Sequence, residues 1–72
     1  NALEKYRIER DNLELSEKVV RVTRSKYEEG LASSLELTQV NDQYLNSLSN
    51  YTSAMVEVLN AKIALDALMN NL

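Results

Sequence analysis

The chain has 72 residues, 44% of them apolar, and a net charge of −3. It forms at most one small domain, and chains of this size often depend on partners for stability. The absence of Cys and His excludes disulfides, thiolate metal sites and histidine acid–base catalysis. The acidic balance argues against nucleic acid binding, and the longest apolar runs are too short to cross a bilayer as a helix.

These exclusions favour a structural or interaction role over an enzymatic one. We predict no catalytic residue, cofactor or metal site, because the sequence offers neither a nucleophile–base pair nor a Gly-rich phosphate loop. A periodic helix begins almost at once, and Asn1-Ala2 has the look of a cloning remnant. We therefore expect the chain to be a fragment of a larger protein.

The first predicted element is a helix over about residues 3–29. It carries fourteen of the nineteen charged residues, seven of each sign. Pairs of opposite charge at helical spacing, such as Glu14 with Lys18 and Glu17 with Arg21, are expected to stabilise a solvated helix face.

A tight turn is predicted over about residues 30–33. Gly30 is the only Gly of the chain, and it stands where the first apolar pattern stops, as expected for a left-handed residue just past a helix end. Ser33 followed by Glu36 fits a capping box at the start of the next helix. A stop signal and a start signal this close together place the two helices side by side and antiparallel.

The second helix is predicted over about residues 34–70, and the apolar residues of both helices recur every seven positions. Heptad spacing is the signature of a coiled coil. The two series mirror each other about Ala32, so the sequence predicts an all-α fold, an antiparallel two-helix coiled-coil hairpin. The predicted hairpin seam pairs Tyr27 with Leu37, Val20 with Tyr44, Leu13 with Tyr51 and Tyr6 with Val58, and the second series continues to Leu65 and Leu72.

A second seam is predicted on another face of the first helix, where Ile8, Leu15 and Val22 also recur every seven residues. The second helix has a spare apolar line of its own, formed by Leu45, Val56 and Ile63 with Ala54, Ala61, Ala64 and Ala67. A two-helix hairpin cannot bury all these residues, so we expect a neighbour on each side. The product is a closed barrel of helices, or a plain three- or four-helix bundle.

The segment around the turn, KYEEGLASSLEL over residues 26–37, resembles the tip of the second helical hairpin in outer membrane efflux proteins of the TolC type. The later segment NAKIALDAL, residues 60–68, is similar to the part of that family in which this helix ends near the repeat boundary. The resemblance covers nearly the whole chain.

The resemblance implies a fragment of a trimeric α-barrel, the periplasmic tunnel of an outer membrane channel in a Gram-negative bacterium. The implied partners are two further copies in a homotrimer, a periplasmic adaptor protein and an inner-membrane pump. Contact with the membrane is implied only through other parts of the parent protein.

The resemblance also implies roles for residues of the tip. Tip and docking residues are Tyr27, Gly30, Leu31, Ala32 and Ser33. Glu36 matches an acidic position that places a ring of carboxylates at the tunnel entrance, although a capping box alone also explains a Glu there. Ala32 and Gln39 depart from relatives that carry a basic and a second acidic residue at these positions.

The alternative function is a coiled-coil interaction module, such as the hairpin of a periplasmic adaptor or another helical scaffold. The basic residue and Leu that an adaptor hairpin usually carries at its tip are not found in that arrangement here.

Overall fold

A computed structural model describes residues 1–70 and contains two α-helices, α1 (Ala2–Glu28) and α2 (Ser34–Asn70). The helices pack against each other along a rod with extents of 63 × 15 × 14 Å, and the described residues form no strand. The all-α antiparallel hairpin is therefore confirmed. α1 begins and ends one residue earlier than predicted, and Leu72 of the predicted heptad series lies outside the described residues.

Asn1 caps the first turn of α1. Its side-chain oxygen accepts a hydrogen bond from the Glu4 amide at 2.9 Å, and the Glu4 carboxylate accepts one from the Asn1 ammonium at 3.3 Å. This reciprocal pair is a capping box, which satisfies amide groups that a helix start leaves without partners. Asn1 thus has a structural role at the start of α1, and the prediction that Asn1-Ala2 is a cloning remnant stays a prediction.

The end of α1 forms a Schellman motif around Gly30. Gly30 has φ +77°, its amide donates to the Tyr27 carbonyl at 3.0 Å, and the Leu31 amide donates to the Lys26 carbonyl at 2.7 Å. These are the two bonds by which this motif satisfies the last carbonyls of a helix. The prediction of a left-handed glycine at this position is confirmed.

The start of α2 confirms one half of the predicted capping box. The Ser33 hydroxyl accepts a hydrogen bond from the Glu36 amide at 3.1 Å. Across residues 1–70 the Glu36 carboxylate makes no return bond to the Ser33 amide, so the second half of the prediction is wrong. The one hydrogen bond that the serine hydroxyl accepts is enough to cap the helix.

The hairpin seam runs along both helices as predicted. Seven of its residues are half-buried: Tyr6, Leu13, Val20, Leu37, Tyr44, Tyr51 and Val58. The predicted series is wrong at its ends, where Tyr27 and Leu65 are exposed. Between the half-buried residues of the seam lies a second set of half-buried or buried positions that completes the heptad pattern of a coiled coil: Glu9, Ser16 and Thr23 on α1, and Val40, Ser47 and Ala54 on α2. These residues were not predicted as part of the seam, because most of them are polar or small.

Ala54 is the one fully buried residue among those described, with no exposed surface. It belongs to the hairpin seam and not to the spare apolar line of α2 to which the sequence argument assigned it. An alanine at a seam position lets two helices approach closely, so its methyl group is covered by the facing helix although the hairpin is thin.

Three side-chain contacts fix how the helices face each other. The hydroxyls of Ser16 and Ser47 are 2.9 Å apart, and Lys5 pairs with Glu57 at 3.0 Å. The Tyr6 and Tyr51 hydroxyls are 3.2 Å apart. This tyrosine contact was not predicted, since the mirrored heptads paired Tyr6 with Val58. Seam side chains insert between residues of the facing helix, and a tyrosine is long enough to reach the neighbouring layer.

The predicted ion pairs within α1 do not form. Among the described residues the ion pairs are those of Lys5 with Glu57, Arg10 with Asp11, and the Asn1 ammonium with Glu4. Glu14 with Lys18 and Glu17 with Arg21 are absent from this set. Exposed pairs gain little in water and lose side-chain entropy when they form, so spacing alone does not ensure contact.

Candidate functional site at the hairpin tip and flanks

The tip of the hairpin presents apolar side chains to solvent. Leu31 is 72% exposed and Leu35 is 65% exposed, and Tyr27 lies beside them with nearly half of its surface accessible. The hydrogen bonds of the Schellman motif and of the Ser33 cap hold the backbone that carries these residues. The tip is therefore an ordered apolar surface on a turn with defined geometry.

The predicted tip residues divide into two groups by what they do. Gly30 and Ser33 shape the turn, through the positive φ and the cap respectively, and Ala32 is half-buried. Tyr27 and Leu31 are exposed and provide contact surface. Leu35 is the contact residue that sequence reasoning missed. Leu35 could have been identified from the sequence, because it is an apolar residue in the first turn of α2 that falls outside the heptad seam.

Three carboxylates, Glu28, Glu29 and Glu36, accompany these apolar residues near the tip. The Glu36 carboxylate makes no ion pair or hydrogen bond within residues 1–70. No group of three or more acidic side chains in this part of the chain could hold a metal ion. A cation site at Glu36 therefore requires carboxylates from more than one copy of the chain.

The predicted second seam of α1 is exposed along its length. Leu15 is 62% exposed, and Ile8 and Val22 are also exposed. The spare line of α2 is exposed as well, at Leu45, Val56 and Ile63, and Leu48, Met55 and Leu59 extend it. The hairpin alone leaves both apolar lines in contact with water.

The two exposed lines lie on opposite faces of the hairpin. A groove between the helices is lined by Arg21 and Arg24 of α1 and by Asn41 and Tyr44 of α2. These four residues therefore lie on the same face of the hairpin, which we call the groove face. Leu45 follows Asn41 by one turn, so the line of α2 continues along this groove face. At 100° per residue, the line of Ile8, Leu15 and Val22 is roughly 130° round α1 from the arginines. It therefore lies on the opposite face of the hairpin, which we call the far face.

The only aromatic contact within residues 1–70 lies in the seam, where the half-buried Tyr6 and Tyr51 rings have centroids 5.5 Å apart and an interplanar angle of 37°. The hydrogen bond to Tyr6 raises the pKa of the Tyr51 phenol above its ordinary value, desolvation and the Tyr6 charge raise it further, and Arg10 acts in the opposite direction. A phenol that keeps its proton suits this contact, because a phenolate could not donate to its neighbour.

No helix among the described residues has the length and apolar character needed to cross a membrane. Comparison with models of protein families, with curated proteins and with solved structures finds no match to this chain.

Proposed function

We propose that this hairpin is part of the periplasmic tunnel of a TolC-type outer membrane efflux or secretion channel. In this role its flanks pack against neighbouring helices of a trimeric α-barrel, and its tip forms the tunnel entrance and docks a periplasmic adaptor linked to an inner-membrane pump. The observation that carries the proposal is the pair of exposed apolar lines on opposite faces of one hairpin.

Two opposite apolar faces favour a ring over a simple pair of hairpins. Apolar surface of this extent marks a protein interface. On the far face the apolar line belongs to α1, and on the groove face it belongs to α2. The far face of one copy therefore complements the groove face of the next, and such a head-to-tail contact closes into a ring when the rotation allows it.

The tip supports the docking part of the proposal. Leu31 and Leu35 are exposed at the end of the rod, away from both flanks, where a partner other than a neighbouring copy can reach them. Loop residues held by a rigid scaffold are common binding elements. Glu36 would add a carboxylate from each copy around the entrance.

Photo-crosslinking in the full-length parent protein tests whether the tip and the flanks contact different partners. A photoreactive residue in place of Leu31 is expected to capture a different polypeptide, the adaptor, whereas one in place of Leu15 is expected to capture a second copy of the parent. Capture of the parent alone at both positions would contradict docking at the tip. It would favour the alternative, a helical scaffold that interacts through its flanks.

A further inference from the structure

The groove between α1 and α2 in the tip half of the rod contains charged and polar residues that packing through apolar lines does not explain. It is lined by Glu17, Val20, Arg21, Arg24, Asn41 and Tyr44 and has a volume of about 360 Å³. It is an open groove and not an enclosed cavity, so a bound molecule lies against it with one side in solvent.

The groove holds two guanidinium groups that form no ion pair within the described residues. Arg21 and Arg24 are three residues apart on one face of α1. Residues 17–28 of α1 carry four positive charges and two negative ones, Glu17 and Glu28. The facing stretch of α2, residues 37–47, carries only Asp42, which does not line the groove. The local field therefore favours an anion although the whole chain is acidic.

The remaining lining residues define the kind of anion. Val20 and the Tyr44 ring supply apolar surface beside the arginines, and the Asn41 amide adds a hydrogen-bonding group. Glu17 closes one end with a negative charge, which disfavours a second anionic group on the ligand. Guanidinium groups bind planar carboxylates through two parallel hydrogen bonds.

We infer that this groove is a binding site for an amphipathic organic monoanion, such as an aromatic carboxylate. The carboxylate lies against Arg21 and Arg24, and the flat apolar body lies against Val20 and Tyr44. All six lining residues belong to one hairpin, so the site does not require a second copy. Because the proposed ring covers this face, the titration is made in the Leu15→Gln background, in which the change lies on the far face and weakens assembly without touching the groove.

Sequence symmetry provides a matched control. Arg7 and Arg10 stand two heptads before Arg21 and Arg24, at the same positions of the repeat. Arg10 is already paired with Asp11, and neither Arg7 nor Arg10 lines the groove. Removing this second pair changes the net charge equally without touching the groove.

Benzoate is the probe, titrated at constant ionic strength while the Tyr44 ring and Asn41 amide resonances are followed by NMR. We expect saturable shifts at these two residues. Benzamide, which lacks the charge, should bind at least about tenfold more weakly, as should benzoate to an Arg21→Gln/Arg24→Gln variant, the loss expected for one charge-assisted bond. The Arg7→Gln/Arg10→Gln variant should stay within about twofold of the parent chain.

A third variant, Arg21→Lys/Arg24→Lys, keeps the charge but lacks the planar fork, and we expect it to bind with intermediate affinity. Circular dichroism establishes that each variant stays helical, and the exposed positions of both arginines make Gln and Lys acceptable there. Absence of saturable shifts, or equal losses from the two Gln pairs, would overturn the assignment and leave only general attraction to a basic stretch.

Discussion

At the scale of single residues, the conformation of Gly30 is the feature on which the hairpin turn depends. Its φ of +77° is reached without a Cβ penalty only by glycine. A Cβ built on Gly30 would meet no atom within 4 Å, so a substitution there is costly through backbone strain and not through a clash. A substitution at Gly30 therefore tests the backbone conformation of the turn without introducing a steric clash.

Replacing Gly30 with Val should lower the free energy of unfolding by about 1–2 kcal/mol or more, because L-residues, and β-branched ones above all, resist positive φ. Gly30→Asn should lose less than Gly30→Val, since Asn tolerates this conformation. Urea unfolding followed by circular dichroism measures both. Equal stability of the Val and Asn variants would show that the turn does not require the left-handed residue.

The Tyr6–Tyr51 pair predicts how stability depends on pH. The raised pKa of Tyr51 means that the folded state holds this proton more tightly than the unfolded state. The contribution is fully present below the ordinary tyrosine value of about 10 and is lost as the pH rises through the folded pKa. Thermal unfolding between neutral pH and strongly alkaline pH should show this decline.

The Tyr6→Phe variant is the control for that decline, because it removes the hydrogen bond that contributes most to the shift. Lysine titration is common to both proteins and cancels in their comparison. The variant should lose less stability than the parent chain over the alkaline range. Parallel pH profiles for the two proteins would show that the tyrosine contact contributes nothing to the pH dependence of stability.

At the scale of helices, the seam was predictable where its residues are large and apolar, and not where they are small or polar. Tyr6, Leu13 and Val20 mark the heptad clearly, whereas Ser16 and Ser47 carry no hydrophobic signal. Their hydroxyl contact at 2.9 Å depends on the facing helix, which no local pattern reveals. The Tyr6–Tyr51 contact was missed for a related reason, since heptads define layers but not the reach of each side chain.

Ala54 gives a test of how closely the helices approach. Ala54→Leu should cost about 1–3 kcal/mol, because three added carbon atoms must fit where the alanine is already fully covered. Ala61 lies one heptad further along the same line of α2 and is exposed. Ala61→Leu should change the unfolding free energy by only about 0.5 kcal/mol.

Thermal and urea unfolding of these two variants measures the difference. If Ala54→Leu were as stable as Ala61→Leu, the helices would not be in close contact at this point, and the seam would have to lie elsewhere.

At the scale of the whole molecule, the hairpin alone buries only a small part of the surface of its apolar residues. One residue of the 70 described is fully covered, while two lines of Leu, Ile, Val and Met stay exposed on opposite faces. The sequence predicted that these lines exist, because seven-residue spacing is visible without a structure. It could not show that they face opposite ways, since this depends on which flank of α1 shares a face with which flank of α2.

We expect copies of the chain to assemble through both faces of the hairpin and not through its tip. Burying a leucine contributes about 1.5–3 kcal/mol, so losing one from either flank should weaken association roughly tenfold or more. Leu15→Gln on the far face and Leu48→Gln on the groove face should therefore each shift the chain towards monomer. Leu35→Gln at the tip should not, because the tip docks a different partner in the proposed function.

Sedimentation equilibrium across the micromolar range tests this claim most directly. We expect the parent chain and Leu35→Gln to sediment with a mass of two or more 8.2 kDa chains, and Leu15→Gln and Leu48→Gln to sediment at lower average mass at the same concentration. A parent chain that stays at 8.2 kDa throughout this range would contradict the claim that the exposed lines are assembly surfaces.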